Sequence, residues 1–112
     1  MTTITYLNFE WDREKAKRNK IKHGISFKAA AKVFNDPNRL EEYDFEHSFD
    51  EERWQVTGMA DDVLFVVYTE RRDKIRLISA REATEEERRR YYGRFGILHD
   101  ESWRTADGGG ES

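Results

Sequence analysis

Polar and apolar positions change period several times along the chain, and each change marks an element. Ile4 to Trp11 carries β-branched and aromatic residues and predicts a short first strand. From Asp12, an N-cap oxygen, to about His23 the residues are good helix formers. The apolar side there is thin, with Ala16 and Ile21 its clearest members, so this helix is expected to be mostly wet. Gly24 supplies the positive φ that ends it. Phe27, Ala30, Ala31 and Phe34 then recur at i, i+3, i+4, i+7 behind the N-cap Ser26, a second helix that Asp36-Pro37 stops. Ile25 and Ala30 suit the two ends of a hydrophobic staple. Two helices therefore meet at Lys22-His23-Gly24-Ile25-Ser26 with almost no linker.

The middle of the chain reads as β. Glu41 to His47 is an acidic edge-strand candidate. Arg53 to Met59 alternates, with Trp54 and Val56 on one side and Arg53, Gln55 and Thr57 on the other. Val63 to Thr69 is nearly all apolar, as suits a strand covered on both faces. Ala60-Asp61-Asp62 and Arg72-Asp73 are turns, so an antiparallel meander is expected, ending in Lys74 to Arg81. Thr84 and Glu87 form a capping box for a last helix, with Tyr91, Tyr92 and Phe95 as its apolar stripe. Residues 1–98 are thus expected as a single α+β domain of order β-α-α-β-β-β-β-α, and 99–112, with Gly108-Gly109-Gly110, as a flexible tail.

Composition narrows the chemistry. In 112 residues there is no Cys, which removes disulfides, thiolate nucleophiles and Cys-based metal centres from consideration. No apolar run approaches the roughly 20 residues of a membrane span, so no membrane role and a cytoplasmic location are expected. The net charge of -3 hides a segregation. Arg13 to Lys32 holds eight Lys or Arg and one acid, Asp36 to Glu52 eight acids and one base, and Arg71 to Arg94 nine bases and five acids. Two basic stretches can build one face for a polyanion, although charge runs are as often plain solvated surface.

Three histidines (His23, His47, His99) are scattered too widely to suggest a metal site, and no cofactor is expected. His23 sits in the basic helix–helix corner. It suits proton transfer near neutrality, and equally suits a structural place at the negative end of a helix dipole. Arg53, Arg76 and Arg81 lie within strand patterns, and each offers a planar fork for a phosphate or for a neighbouring carboxylate. Arg76 and Arg81 are five apart and face opposite sides of a regular strand. They can share a site only past the strand end or across a bulge.

Phe9-Glu10-Trp11-Asp12, Lys15-Ala16, Asn19 and Lys22-His23-Gly24-Ile25-Ser26-Phe27 resemble the N-terminal signature of BrnT-type toxins. Val33-Phe34 with Asp36, Glu52-Arg53, Val66-Val67-Tyr68-Thr69, Ile78-Ser79-Ala80-Arg81, and Glu87-Arg88 with Tyr91 continue the likeness in order. The resemblance implies a RelE-like fold, a small antiparallel sheet packed against helices. It implies a metal-independent endoribonuclease that cuts RNA by 2′-oxygen attack, paired in a hetero-oligomer with a BrnA-like antitoxin bearing a ribbon-helix-helix DNA-binding domain. On that reading His23 and Glu52 transfer protons, Arg53, Arg81 and Arg76 clamp the phosphate, and Lys15, Lys20 and Lys22 hold the RNA backbone. A rival expectation is a non-catalytic interaction subunit of a DNA-binding regulatory complex.

Overall fold

The computed structural model describes residues 2–94. Six strands form one mixed sheet in the order β1-β2-β6-β5-β4-β3. The chain runs β1 (Thr3–Tyr6), β2 (Phe9–Asp12), α1 (Arg13–His23), α2 (Phe27–Ala31), a 3₁₀ turn (Lys32–Asn35), β3 (Leu40–Tyr43), β4 (Trp54–Ala60), β5 (Asp62–Arg71), β6 (Lys74–Glu82) and α3 (Glu85–Gly93). The α+β class is as expected, but two features of the expected order are not. The first strand is a hairpin: Thr3 pairs with Asp12 and Tyr6 with Phe9, around a turn in which Leu7 takes φ 57. The sheet is also not purely antiparallel, because β2 runs parallel to β6, with Glu10 beside Arg76. The expected tail, 99–112, and Phe95 lie outside the described residues.

Local signals fix the helix ends. The Asp12 carboxylate accepts the Lys15 amide at 3.0 Å, and Gly24 at φ 75 donates its N–H to the Lys20 carbonyl. Ser26 Oγ accepts the Ala29 amide to start α2. The helix tightens to 3₁₀ after Ala31, which turns Val33 fully inward and sets Phe34 against the rings of Phe9 and Tyr68. Phe27, Leu64, Leu77 and Val66 are the heart of the core between these helices and the sheet. Each such side chain stabilises the fold by about 1.5–3 kcal/mol.

Gly58 of β4 is there because the 3₁₀ turn lies against it. A Cβ at this position would sit 2.7 Å from Val33 Cγ1 and 3.1 Å from Arg39 Cβ.

The parallel ladder with β6 stops at Glu10 and Arg76, although β2 itself runs on to Asp12 in its pairing with β1. The strand edge left behind is closed by one side chain. Asn19 of α1 accepts the Ala80 amide at 3.1 Å and donates Nδ2 to the Ala80 carbonyl at 2.8 Å and to the Ile25 carbonyl at 3.0 Å. Its amide thus stands in for a neighbouring strand.

β6 also contains a bulge. Val67 faces Ser79 while Tyr68 faces Leu77, which leaves Ile78 as the extra residue. Leu77 and Ala80 consequently both enter the core. Arg76, opposite Thr69, and Arg81, opposite Phe65, both fall on the other face.

Candidate functional site

The second face of the sheet carries the charged residues, and the loop between β3 and β4 brings Arg53 to it. Ser48 closes that loop: its hydroxyl donates to the Asp44 carbonyl at 2.6 Å and accepts the Arg53 amide at 2.9 Å. The Asp44 N–H in turn donates to the Arg53 carbonyl at 2.9 Å. Asp44 is buried, which alone would raise its pKa, yet hydrogen bonds from His47 leave the carboxyl below its ordinary value. On the preceding residue, Thr69 Oγ1 of β5 donates to the Glu52 carbonyl at 2.6 Å. Arg53 is therefore held by backbone and hydroxyl contacts at the start of β4.

Arg53, Arg71, Arg76 and Lys15 line a hollow of about 110 Å³ together with Asp12 and Glu51. Four cations face two carboxylates, and one of those, Asp12, is engaged in capping α1. Glu51 holds Arg71 loosely, both carboxylate oxygens 3.3 Å from Nη2. Arg76 is held more closely, Nη1 donating to Glu10 at 2.9 Å, with only 10% of its side chain exposed. Nε of Arg53 is buried and has no acceptor among the described residues. A buried guanidinium donor without an acceptor is costly, and Arg53 is one of the residues that line the hollow.

The structure brings together Lys15, Arg53 and Arg76 of the residues expected from sequence, and leaves the others elsewhere. Arg81 is committed to α3. Its fork meets the Glu87 carboxylate in two contacts of 2.9 and 3.0 Å, and its guanidinium lies 4.3 Å from the centre of the Phe65 ring. Burial pushes the Glu87 carboxyl up, but the Arg81 contact and the Thr84 amide outweigh it and hold the group below the ordinary glutamate value. The carboxylate alternative considered for the strand arginines applies to Arg81, with a partner on the last helix.

The Glu52 side chain is exposed, and it is Glu51 that faces the hollow. His23 is half-buried at the far end of α1, about 12 Å along the axis from Lys15 at 1.5 Å per residue, its imidazole making no hydrogen bond or ion pair among the described residues. Lys20 and Lys22 are exposed, and Lys22, two turns beyond Lys15, shares its side of the helix.

Sequence reading missed Glu51, Arg71 and Asp12. The signal for Arg71 was available in the odd charge density at the β5–β6 turn. Nothing in spacing pointed to Glu51 over Glu52, because the loop conformation decides between them.

The remaining ties fasten α3 and the first turn after α2. Arg88 donates to Asp62 at 2.7 Å and Arg90 to Glu42 at 3.3 Å. The Tyr91 hydroxyl donates to Asp36, whose carboxylate also accepts the Met59 amide. Burial raises the Asp36 pKa and these donors more than offset it, leaving it lowered. Among the described residues, no three His, Asp or Glu side chains are grouped as metal ligands, and no helix is long and apolar enough to cross a membrane.

Residues 11–87 match the family model described as the ribonuclease toxin, BrnT, of type II toxin–antitoxin systems. Among solved structures, the 1.1 Å crystal structure of the Brucella abortus ribonuclease toxin BrnT is similar, with a TM-score of 0.51 at 20% identity. The match covers 67% of this chain and 94% of that one, and at this identity it speaks for the fold alone. No curated protein sequence matches the chain significantly.

Proposed function

The chain belongs to the BrnT family, the ribonuclease toxins of type II toxin–antitoxin systems, and we propose that it cuts RNA in the hollow between Lys15, Arg53, Arg71 and Arg76. The observation that carries this reading is the excess of cations there around a buried Arg53 Nε that lacks an acceptor. A phosphodiester supplies that acceptor and suits the paired N–H groups of several guanidinium forks.

The reaction requires no metal ion in this reading. The ribose 2′-oxygen attacks the adjacent phosphorus, its proton passing to a carboxylate. The bond from phosphorus to the 5′-oxygen breaks, and that oxygen takes up a proton as it leaves. The guanidinium groups of Arg53 and Arg76 stabilise the added charge on the phosphoryl oxygens, the type of contribution worth about 10²–10³ in rate per donor. Glu51, facing the hollow, takes the base role, and Lys15 supplies the proton to the leaving oxygen. His23 and Glu52 lie outside the hollow and are left with contacts to flanking RNA or to the partner. Lys20 and Lys22 extend the basic surface along α1. Arg81 acts through position: its pairing with Glu87 fixes β6 against α3.

A type II toxin has a protein antitoxin, and here a BrnA-like protein with a ribbon-helix-helix domain is the proposed partner. The fold is proposed to be RelE-like. The acidic stretch from Asp36 to Glu52, unfavourable for RNA apart from the Glu51 base, suits a basic surface on that partner.

Purified protein incubated with RNA in EDTA tests the reading. Cleavage is expected to persist and to leave 2′,3′-cyclic phosphate ends, and Arg53→Ala is expected to slow it about 100-fold or more. Cleavage that appears only when magnesium is restored overturns the metal-free chemistry. RNA left intact throughout favours the interaction subunit.

A further inference from the structure

Next to the first hollow lies a second, roomier one of about 340 Å³, beneath the β5–β6 turn. Arg71 and Arg76 line both, so the two are contiguous across a shared basic wall. Arg72 and Lys74 complete the second hollow, against Glu10 and Asp73. Four cations again face two acids, and Glu10 is already paired with Arg76. Arg72 and Lys74 have no ion-pair partner among the described residues. No aromatic ring lines this hollow, so it offers nothing for a base to stack on.

The turn itself is built at some conformational cost. Arg71 pairs with Lys74, which leaves a two-residue connection whose first residue, Arg72, has φ 58. Two-residue hairpins with positive φ at that position favour glycine there. An arginine in its place is conformationally strained, and it puts a third positive charge, between Arg71 and Lys74, at one tip.

We propose that this second hollow is a phosphate subsite for the phosphodiester neighbouring the scissile one in the same RNA strand. The proposal rests on the assignment of the first hollow to the scissile phosphate. Cation forks and the lack of a stacking platform mean that it reads backbone charge and leaves base identity unread. The enzyme therefore grips RNA through at least two consecutive phosphates, bridged by Arg71 and Arg76.

The test removes charge at the turn and leaves the first hollow intact. In Arg72→Gly/Lys74→Ala the glycine keeps the positive φ. Binding is titrated between 50 and 200 mM salt with two uncleavable 2′-O-methyl RNAs, a decamer and a dinucleoside monophosphate with one phosphodiester. For the decamer, the slope of log affinity against log salt is expected to fall by about 0.7 for each phosphate that is no longer neutralised. The dinucleoside monophosphate, which reaches only one subsite, is expected to bind the variant as it binds the wild type. Equal losses for both ligands, or no loss for either, overturn the second subsite. Cleavage of an unmodified decamer by the wild type is followed in parallel. A variant that loses decamer affinity while the wild type cuts nothing upholds the subsite and rejects the ribonuclease assignment. A wild type that cuts, with a variant that binds unchanged, does the reverse.

Discussion

Asn19→Ala tests whether one amide does the work of a missing strand. Ala80 has no exposed surface, and both its backbone groups bond to the Asn19 side chain, itself only 7% exposed. Truncation to Ala leaves a buried N–H and a buried C=O without partners, at about 1–3 kcal/mol each. The Ile25 carbonyl also loses a donor, but it is half-buried and water can reach it. Some relaxation of α1 lowers the total, so a loss of about 2–4 kcal/mol is expected. That is a large share of the roughly 5–15 kcal/mol that holds a domain together. At about 4–8 °C per kcal/mol, the melting temperature falls by roughly 8–32 °C. Asn19→Asp should be at least as harmful at neutral pH, since its carboxylate still accepts from Ala80 but faces two carbonyl oxygens. Denaturant melts read by circular dichroism give the free energies, and an unchanged m-value shows that the same transition is being compared. Because Lys15 sits one turn earlier on the same helix, RNA cleavage at 25 °C should also drop while the variant remains folded. A melting temperature within about 3 °C of wild type would refute the account, since unpaired buried groups cannot be that cheap.

Gly58→Ala should destabilise by about 1–3 kcal/mol through collision with Val33 and Arg39. Gly93→Ala, where an added Cβ meets nothing within 4 Å, should leave thermal stability unchanged or slightly raised. Acid melts test Glu87 and Asp36. Both carboxyls are held below their ordinary values of 4.5 and 3.8, so their contribution is complete above those values and is lost as pH falls through the lower folded ones. Stability should therefore decline below about pH 4.5, and Glu87→Gln should flatten that decline; an unchanged acid profile in the variant would count against the Arg81–Glu87 tie.

Caps and periodicity made most of the fold legible. Asp12, Gly24, Ser26 and Thr84 each do in the structure what their side chains or lack of one predict. The first hairpin was hidden because its turn carries a leucine at positive φ, where glycine or asparagine would have announced a break. The parallel β2–β6 pair was hidden because pairing between strands some sixty residues apart depends on packing of the helices between them. Of the residues that line the hollow, residue type picked out Lys15, Arg53 and Arg76. The same reasoning could not separate Arg76 from Arg81, since both are strand arginines and only tertiary contact gives Arg81 a carboxylate within reach. Glu51 and Arg71 entered through loop closure by Ser48 and the placement of the β5–β6 turn, neither of which leaves a periodic trace.

The extra residue at Ile78 gives β6 two reading frames. Inside and outside alternate correctly on either side of it, but the two halves are out of step by one place. Removing that single residue would bring them into step, with Arg76 and Arg81 then four places apart on one face and Leu77 and Ala80 still on the other. The bulge is thus what lets two arginines at an odd interval share one face of the sheet, where a regular strand would turn them to opposite sides.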